Sequence, residues 1–202
     1  MDKEIEVKFL LNDLVSLRDK LVALDAHLSY PRVKEENLRF DTADRSLSSK
    51  NHVLRLRRDS RNRITYKSPG QMVEGVLERK EIEFQIDDFE AARRMFEALG
   101  YSSFLSYEKF RETFELDSVS VTLDEMPFGN FVELEGPDAA HVQALARKLE
   151  LNWERRCVLS YMDLFETVKC ALALELQDLR FEDFEAREVR PEDLGLEPGD
   201  LI

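Results

Sequence analysis

The chain has 202 residues, a hydrophobic fraction of 43% and a formal net charge of -13. This length and composition predict one folded domain with a sizeable core, and the acidic balance argues against broad nucleic-acid binding, which needs a basic surface. No segment is apolar and long enough to span a membrane, and no secretory signal precedes the first predicted strand, so we expect a cytoplasmic protein without a membrane partner.

The first predicted element is a strand whose charged side chains share one face. Residues 4–9 read Glu-Ile-Glu-Val-Lys-Phe. Because side chains alternate across a β-strand, Glu4, Glu6 and Lys8 point to one side and the three apolar residues to the other. The same alternation recurs with arginines at 54–57 and with carboxylates at 81–84 and 131–135. Such strands of both signs suggest a shared ionic interior, which is costly unless it binds something ionic.

Each half of the chain begins with a strand–helix–strand pattern. Residues 3–6 and 80–83 both read Lys-Glu-Ile-Glu, and residues 29–30 and 106–107 both read Ser-Tyr, at one shared offset. Apolar residues at helical spacing lie between the members of each pair. Candidate N-caps precede both helices, at Asn12 or Asp13 and at Asp87 or Asp88. The shared offset predicts a duplication or a pseudo-symmetry.

The rest of the chain predicts more strands and two more helices. Alternation and turn residues place strands at 37–42, 53–59, 63–68, 109–116, 119–124 and 130–135. A third helix follows Gly136-Pro137-Asp138, and a fourth is predicted from about Ser160 to Leu179. With the two charged strands at the starts of the halves, this gives roughly eight strands and four helices, an α+β class. Residues 1–179 form the predicted domain, and residues 180–202 form an acidic, solvated tail.

Sorting by alternation gathers charged side chains on the strand faces that do not meet the helices. The acids are Glu4, Glu6, Glu81, Glu83, Asp124, Glu133 and Glu135, and the cations are Lys8, Arg55, Arg57, Lys67, Arg79, Lys109 and Arg111. An open antiparallel sheet with a solvated, salt-bridged outer face would explain any one of these strands. For all of them together we favour a barrel with a charged interior.

The grouping of the charges indicates what such an interior would hold. Carboxylates paired at positions i and i+2 suit hard cations such as Mg²⁺ or Mn²⁺. Arginines and lysines on neighbouring strands suit phosphate oxygens. A polyphosphate with its metal ion needs both kinds of lining.

Cysteine and histidine offer little support for other chemistries. Cys157 and Cys170 form no metal-type CxxC pair, and we expect two free thiols. The three histidines are scattered and show no HExxH spacing, which disfavours a zinc hydrolase and a histidine-based triad.

The ordered motifs resemble those of a known family. Residues 4–8 are similar to the ExExK signature of the CYTH family, also called the triphosphate tunnel metalloenzymes, which includes class IV adenylyl cyclases, thiamine triphosphatases and inorganic triphosphatases. The similarity continues in order through residues 40–42, 54–57, 65–67, 79–83, 109–111, 123–124, 129–135 and 160–161. It implies an eight-stranded antiparallel β-barrel, or tunnel, with helices packed on its outside.

The resemblance also implies roles for single side chains. The carboxylates that would hold Mg²⁺ or Mn²⁺ are Glu4, Glu6, Asp124, Glu133 and Glu135. The clamp on the substrate phosphates would consist of Lys8, Arg55, Arg57, Lys67, Lys109 and Arg111. Residues expected to take part directly in catalysis are Glu4, Glu6, Lys67 and Asp124.

Several positions stay open at this level. Glu81 and Glu83 would either join the metal ligands or hold the cations in place. By the internal repeat, Arg32 and Lys34 would correspond to Lys109 and Arg111 and face the tunnel. Alternation does not decide whether Arg39, or one of Arg155 and Arg156, reaches the interior.

The resemblance implies metal-dependent hydrolysis of a triphosphate, either inorganic or organic such as thiamine triphosphate. A class IV adenylyl cyclase, converting ATP to cyclic AMP and pyrophosphate in the same tunnel, is the alternative. A non-catalytic module that binds polyphosphate or nucleotide is a second alternative. The expected partner is a small-molecule triphosphate, and the chain is expected to be a monomer or a homodimer without a nucleic-acid partner.

Overall fold

The computed structural model describes the backbone of residues 2–200 and the side chains of residues 5–200. This part of the chain has nine strands and four α-helices. The strands are β1 (Asp2–Leu11), β2 (His27–Asp41), β3 (Val53–Arg58), β4 (Asn62–Lys67), β5 (Gln71–Val73), β6 (Val76–Ile86), β7 (Ser102–Leu116), β8 (Val119–Met126) and β9 (Gly129–Glu135). The helices are α1 (Leu14–Ala23), α2 (Phe89–Ala98), α3 (Ala139–Lys148) and α4 (Tyr161–Ala171).

The sheet closes on itself. Its strand order is β1-β9-β8-β7-β2-β3-β4-β6-β5, and β6 also pairs with β1. All these pairings are antiparallel. The short β5 pairs only with one end of β6, so eight strands form the ring. The predicted α+β fold, an antiparallel barrel with external helices, is confirmed, and a closed ring excludes the open sheet.

Alternation along each strand sends apolar side chains outward to the helices. Val7 and Phe9 of β1 are fully covered and share a core with Leu21 of α1 and Val142 and Leu145 of α3. A smaller core joins α2 to the outer face of β3 and β4. Burying one such side chain stabilises the fold by about 1.5–3 kcal/mol. The helices therefore support the ring from outside and leave its inner face to charged side chains.

Side-chain caps begin all four helices, as expected for their sequences. Asp13, Asp88 and Asp138 each accept a hydrogen bond from the backbone N–H three residues later. Ser160 and Asp163 form a capping box at α4.

Helix α4 closes one end of the ring. Its Leu164 and Phe165 are fully buried against Phe131 and Leu105, which lie on the inner faces of β9 and β7. Tyr161, in the first turn, packs on Phe131 with ring centroids 5.3 Å apart. The interior is thus apolar at this end and charged beyond it.

Several element boundaries differ from the sequence prediction, most clearly those of α4 and β2. Helix α4 ends at Ala171 rather than near Leu179. Leu179 is fully buried in the core beside α4 and forms a parallel bridge with Tyr107, which requires extended backbone. Strand β2 begins at His27, ten residues before its predicted start, because β7 supplies a backbone partner along most of its length.

The C-terminal segment packs against the domain. Phe184 and Leu194 are buried, whereas acidic side chains such as Glu185 and Glu188 are exposed. The Asp200 carboxylate accepts hydrogen bonds of 2.9 Å from the backbone N–H groups of Asn12 and Asp13. Some acids of this segment are thus exposed, while the segment also contributes two side chains to the core.

Two further expectations concern thiols and helix length. Cys157 is buried and Cys170 is exposed, and both are free thiols. Across residues 2–200, none of the helices is both long and apolar enough to cross a membrane.

Candidate functional site

The interior of the ring contains a charged cavity of about 490 Å³. Its described lining includes eleven basic and eight acidic side chains. Of the residues predicted to face inward, those that line it are Glu6, Lys8, Arg55, Arg57, Lys67, Arg79, Glu81, Glu83, Lys109, Arg111, Glu133 and Glu135. The side chain of Glu4 lies outside the described residues.

Two arginines of β3 form one wall. Arg55 donates hydrogen bonds of 3.1 Å to the Tyr107 hydroxyl and to Thr65 Oγ1, and its guanidinium lies 3.6 Å from Glu83. Arg57 donates to Asn37 Oδ1 and lies 3.1 Å from Glu35. Fixed in this way, the two guanidinium groups are preorganised for an anion in the cavity.

On the other side of β2, strand β7 supplies a second cationic pair. Arg111 donates to both oxygens of Asp124 at 2.7 and 2.6 Å, and Lys109 Nζ lies 3.0 Å from the same carboxylate. The Tyr161 hydroxyl donates a fourth hydrogen bond to it at 2.8 Å. Asp124 is fully buried behind these donors and does not belong to the cavity lining.

The carboxylates of β1 and β9 face each other across the paired strands. Glu6 is the register partner of Glu135, and Lys8 that of Glu133. Glu133 lies 2.5 Å from Arg111 and 3.5 Å from Lys8, while Glu6 accepts a hydrogen bond of 2.8 Å from Arg79. Burial opposes ionisation of Glu133, but Arg111 and Lys8 hold its pKa well below the usual range.

The remaining predicted carboxylates are tied to cations. Lys67 Nζ lies 3.0 Å from Glu81. Glu83 accepts a hydrogen bond from Thr65 at 2.6 Å and lies near Arg55 and Arg63. Although burial works in the other direction, the positive charges of Arg57 and Arg55 and the Thr65 hydrogen bond lower the pKa of Glu83 to about 2.

These contacts define what the site offers a metal ion. Among residues 5–200, no three His, Cys, Asp or Glu side chains come together as a metal-binding group. Glu6 and Glu135 face each other on neighbouring strands, however, an arrangement of like charges that a cation would relieve. Oxygen ligands of this kind fit Mg²⁺ or Mn²⁺.

Glu35 is a central site residue that the sequence analysis missed. It is 1% exposed, and its carboxylate lies 3.1 Å from Arg57, 3.7 Å from Lys109 and 4.0 Å from Arg111. Burial would raise its pKa, but these cations together lower it far below the usual range. The sequence analysis missed Glu35 because it predicted β2 to begin at residue 37, so Glu35 lay outside every predicted strand.

Tyr107 is a second residue that the motifs did not indicate. Its hydroxyl lies in the cavity wall, buried beside Arg55. Burial would raise the pKa of this phenol, but Arg55, Arg57 and Lys109 lower it to about 8.

Of the basic residues whose position the sequence left undecided, some line the cavity and others do not. Arg39 and Arg32 line the cavity. The predicted inward position of Lys34 is wrong. Glu35 is the register partner of the inward-facing Lys109, so Glu35 faces the cavity and its neighbour Lys34 faces the other way. Lys34 lines an outer groove, where its Nζ atom lies 2.9 Å from the Glu108 carboxylate.

The basic pair near the C-terminal strand lies elsewhere. Arg155 donates a hydrogen bond to the Pro198 carbonyl, and Arg156 donates to the carbonyls of Gly75 and Trp153. Neither side chain lines the cavity.

Comparison with known proteins identifies a matching family and a similar protein. The family model described as CYTH domain matches residues 2–157. A protein of Methanocaldococcus jannaschii named "putative adenylate cyclase" is 29% identical over 138 residues, which cover 65% of this chain and 75% of that protein.

Solved structures share the fold at low identity. A "putative adenylate cyclase" from Vibrio parahaemolyticus superposes with a TM-score of 0.72 at 21% identity, covering 81% of this chain and 97% of the other. A Hippeastrum protein, described as a "putative adenylyl cyclase" with a dominant triphosphatase activity, superposes with a TM-score of 0.61 at 20% identity, covering 83% and 96%.

Proposed function

Because the chain belongs to the CYTH domain family, we propose that it is a metal-dependent triphosphatase that cleaves a phosphoanhydride bond of a triphosphate inside the charged cavity. The observation that carries this proposal is the convergence of the predicted clamp, from separate strands, on one cavity of about 490 Å³. The clamp comprises Lys8, Arg55, Arg57, Lys67, Lys109 and Arg111.

The cations would bind and orient the chain of phosphates. Phosphoryl transfer requires little covalent chemistry from the protein and depends on positioning and on stabilisation of the charge that develops on the phosphate oxygens. Arg55, Arg57 and Arg111 offer guanidinium groups held by neighbouring acceptors, so little reorganisation is needed when the substrate arrives. Lys67, held by Glu81, would neutralise charge on the group under attack.

The metal ion would be held by Glu6, Glu133 and Glu135, together with Glu4. When bound, Mg²⁺ or Mn²⁺ supplies Lewis-acid polarisation of a phosphoryl oxygen and lowers the pKa of a coordinated water. The residues' part is to orient the phosphates against this edge of the cavity and to keep the carboxylates ionised, as Arg111 and Lys8 do for Glu133.

Asp124 would act as a positioning residue within this machinery. Four hydrogen bonds from Lys109, Arg111 and Tyr161 occupy its oxygens. Its proposed contribution to metal binding is therefore indirect, through the cations that in turn contact Glu133.

A class IV adenylyl cyclase is the second candidate, favoured by the name of the relative from Methanocaldococcus jannaschii. The same clamp would hold ATP while its ribose 3′-hydroxyl attacks the α-phosphorus, forming cyclic AMP and releasing pyrophosphate. The hydrolase is preferred because it needs only the clamp and the carboxylates described above.

A substrate panel distinguishes the candidates. Purified protein is incubated with Mg²⁺ or Mn²⁺ and with inorganic triphosphate, thiamine triphosphate or ATP, and the products are identified by chromatography. Orthophosphate indicates the hydrolase and cyclic AMP the cyclase. Tight binding without any product would overturn both and indicate a binding module.

The assigned metal ligands are tested with the double variant Glu4→Gln, Glu6→Gln. We expect the metal concentration needed for half-maximal activity to rise at least tenfold, because even residues outside the direct ligands change metal affinity by about 10–100-fold. Glu185→Gln, at an exposed position, is the matched control. Unchanged metal dependence in the double variant contradicts the assignment.

A further inference from the structure

Arg39 is a cationic residue of the cavity wall. Within residues 5–200, its buried Nε atom has no hydrogen-bond partner. Among the described residues, no carboxylate lies within ion-pair distance of it. The neighbouring wall cations differ, since Arg55 lies near Glu83, Lys67 near Glu81 and Arg79 near Glu6.

The position of Arg39 beside Arg55 leaves further positive charge uncompensated at this place in the wall. Arg39 is the register partner of Arg55 on the adjacent strand, so two guanidinium groups share one face of the sheet at the same level. Like charges directly opposite each other are destabilising. Burial and the charges of Arg55 and Arg79 lower the pKa of Arg39, which is the effect expected of cations that share a wall. An anion bound between them would relieve the repulsion.

This pair lies at the end of the cavity that α4 covers. Arg39 is paired with Leu105, which is buried in the same core as Leu164 of α4, and Ser160 and Met162 line the cavity here.

The other end of the cavity is more open. Tyr30 and Arg61 line it, and the Tyr30 side chain is 46% exposed. Between Val33, opposite Arg111, and Arg39, strand β2 pairs in regular register with β7. These six steps span about 20 Å at roughly 3.3 Å per residue.

We propose that Arg39, with Arg55, binds a free terminal phosphoryl group of the substrate, so that any organic substituent lies toward Tyr30 at the open end. The substrate class is then a linear triphosphate with at least one unsubstituted terminal phosphoryl group. This inference rests on the proposed function only in that the cavity receives a triphosphate; it does not depend on which bond is cleaved.

Binding is measured by titration calorimetry in EDTA, so that no turnover is required. The ligands are inorganic triphosphate with two free ends, ATP with one and diadenosine triphosphate with none. For the wild-type protein we expect diadenosine triphosphate to bind at least tenfold more weakly than ATP.

Variants of two arginines make the comparison specific. Arg39→Ala should weaken binding of inorganic triphosphate and ATP by about 10–100-fold, as expected for one charge-assisted hydrogen bond. The difference in affinity between ATP and diadenosine triphosphate should become smaller in this variant. Arg39→Lys should retain most of the affinity. Arg45→Ala is the matched control, because Arg45 lies on the Phe104 ring at 3.8 Å but is exposed and outside the cavity lining.

Each outcome is assigned to one proposal. If the wild-type protein binds none of the three ligands, either in EDTA or with Mg²⁺ present, the proposed function fails and the terminal subsite fails with it. If it binds inorganic triphosphate but Arg39→Ala binds it equally well, or if diadenosine triphosphate binds as tightly as ATP, the terminal subsite is overturned and the proposed function stands. Thermal unfolding confirms that Arg39→Ala is folded, and Arg39→Gln replaces it if it is not.

Discussion

Tyr107 provides a pH-dependent charge at the centre of the clamp. Its ordinary pKa would lie near 10, but Arg55, Arg57 and Lys109 stabilise the phenolate and outweigh burial, so its pKa falls to about 8. As pH rises through this value, the phenolate cancels part of the positive charge offered to the substrate. We therefore expect affinity for inorganic triphosphate to decline above about pH 8 in the wild-type protein.

Tyr107→Phe isolates this effect. The variant keeps the ring and removes the titrating group. Its affinity for inorganic triphosphate should therefore show no decline centred near pH 8. Calorimetric titrations between pH 6.5 and 9.5 measure both proteins. An identical alkaline decline in the variant would assign the titration to the ligand or to another residue.

Glu35 is a buried negative charge that neutralises part of the clamp in the absence of substrate. Removing one partner from a buried ion pair typically costs about 3–5 kcal/mol, because the remaining charges are left without compensation. Glu35→Gln should accordingly lower the free energy of unfolding by about 3 kcal/mol in urea denaturation. Inorganic triphosphate should recover more stability in this variant than in the wild type, because it replaces the missing negative charge.

The pH dependence of stability gives an independent check on Glu35. Its pKa is depressed in the folded state, so its contribution is present above the ordinary carboxyl pKa, roughly 4.3, and is lost as pH falls below it. Glu35→Gln should therefore lose less stability than the wild type on acidification. Glu125→Gln, which breaks a partly exposed pair with Arg32, is the control and should cost at most about 1 kcal/mol.

At the scale of elements, the sequence assigns side chains to the correct face of a strand only where one face is apolar and the other is charged. In β1, β3 and β9 one face meets helices and the other meets charge, so alternation alone assigned Val7, Arg55 and Glu133 to their sides. In β2, residues 34–37 read Lys-Glu-Glu-Asn and are polar on both faces, because the outward-facing Lys34 and Glu36 are exposed. Alternation then carries no information, which is why Glu35 was missed and Lys34 misplaced.

Helical periodicity failed for a different reason. The sequence after Ala171 suits a helix, but burial of Leu179 in the core beside α4 requires extended chain at that point. Tertiary packing outweighs local propensity here. No pattern within the segment encodes the position of its distant partner, Tyr107.

Helix α4 is the element that joins the outer core to the site. Phe165 is fully buried among the side chains that fill the closed end of the ring, so Phe165→Ala should lower the free energy of unfolding by about 3–5 kcal/mol. Met95→Ala on α2, where the side chain is 51% exposed, should have little effect. Chemical denaturation of both variants measures the difference, and similar values would show that α4 does not support the ring.

On the scale of the whole molecule, charge is divided between inside and outside. The chain carries a net charge of -13, yet basic residues outnumber acidic ones in the described cavity lining. Much of the excess acid therefore lies on the outer surface, including the C-terminal segment. A polyanion gains its favourable interactions only inside the ring, where the low local dielectric strengthens them.

Removal of the C-terminal segment tests whether the domain ends at residue 179 or extends through residue 200. Deleting residues 180–202 removes buried Phe184 and Leu194 and the backbone hydrogen bond from Gly199 to Leu10 on β1. It also removes Asp200, whose carboxylate holds the chain entering α1. Each lost apolar side chain contributes about 1.5–3 kcal/mol, so we expect the free energy of unfolding to fall by at least about 3 kcal/mol.

The control for this deletion is charge removal at constant chain length. Glu185→Gln with Glu188→Gln neutralises two exposed acids of the same segment and should leave stability within about 0.5 kcal/mol of the wild type. Because Leu10 continues the strand that carries Glu6 and Lys8, the deletion should also weaken inorganic triphosphate binding, whereas the neutralised variant should not. A truncated protein with unchanged urea midpoint and affinity would mean that the acidic segment is a solvated appendage after all.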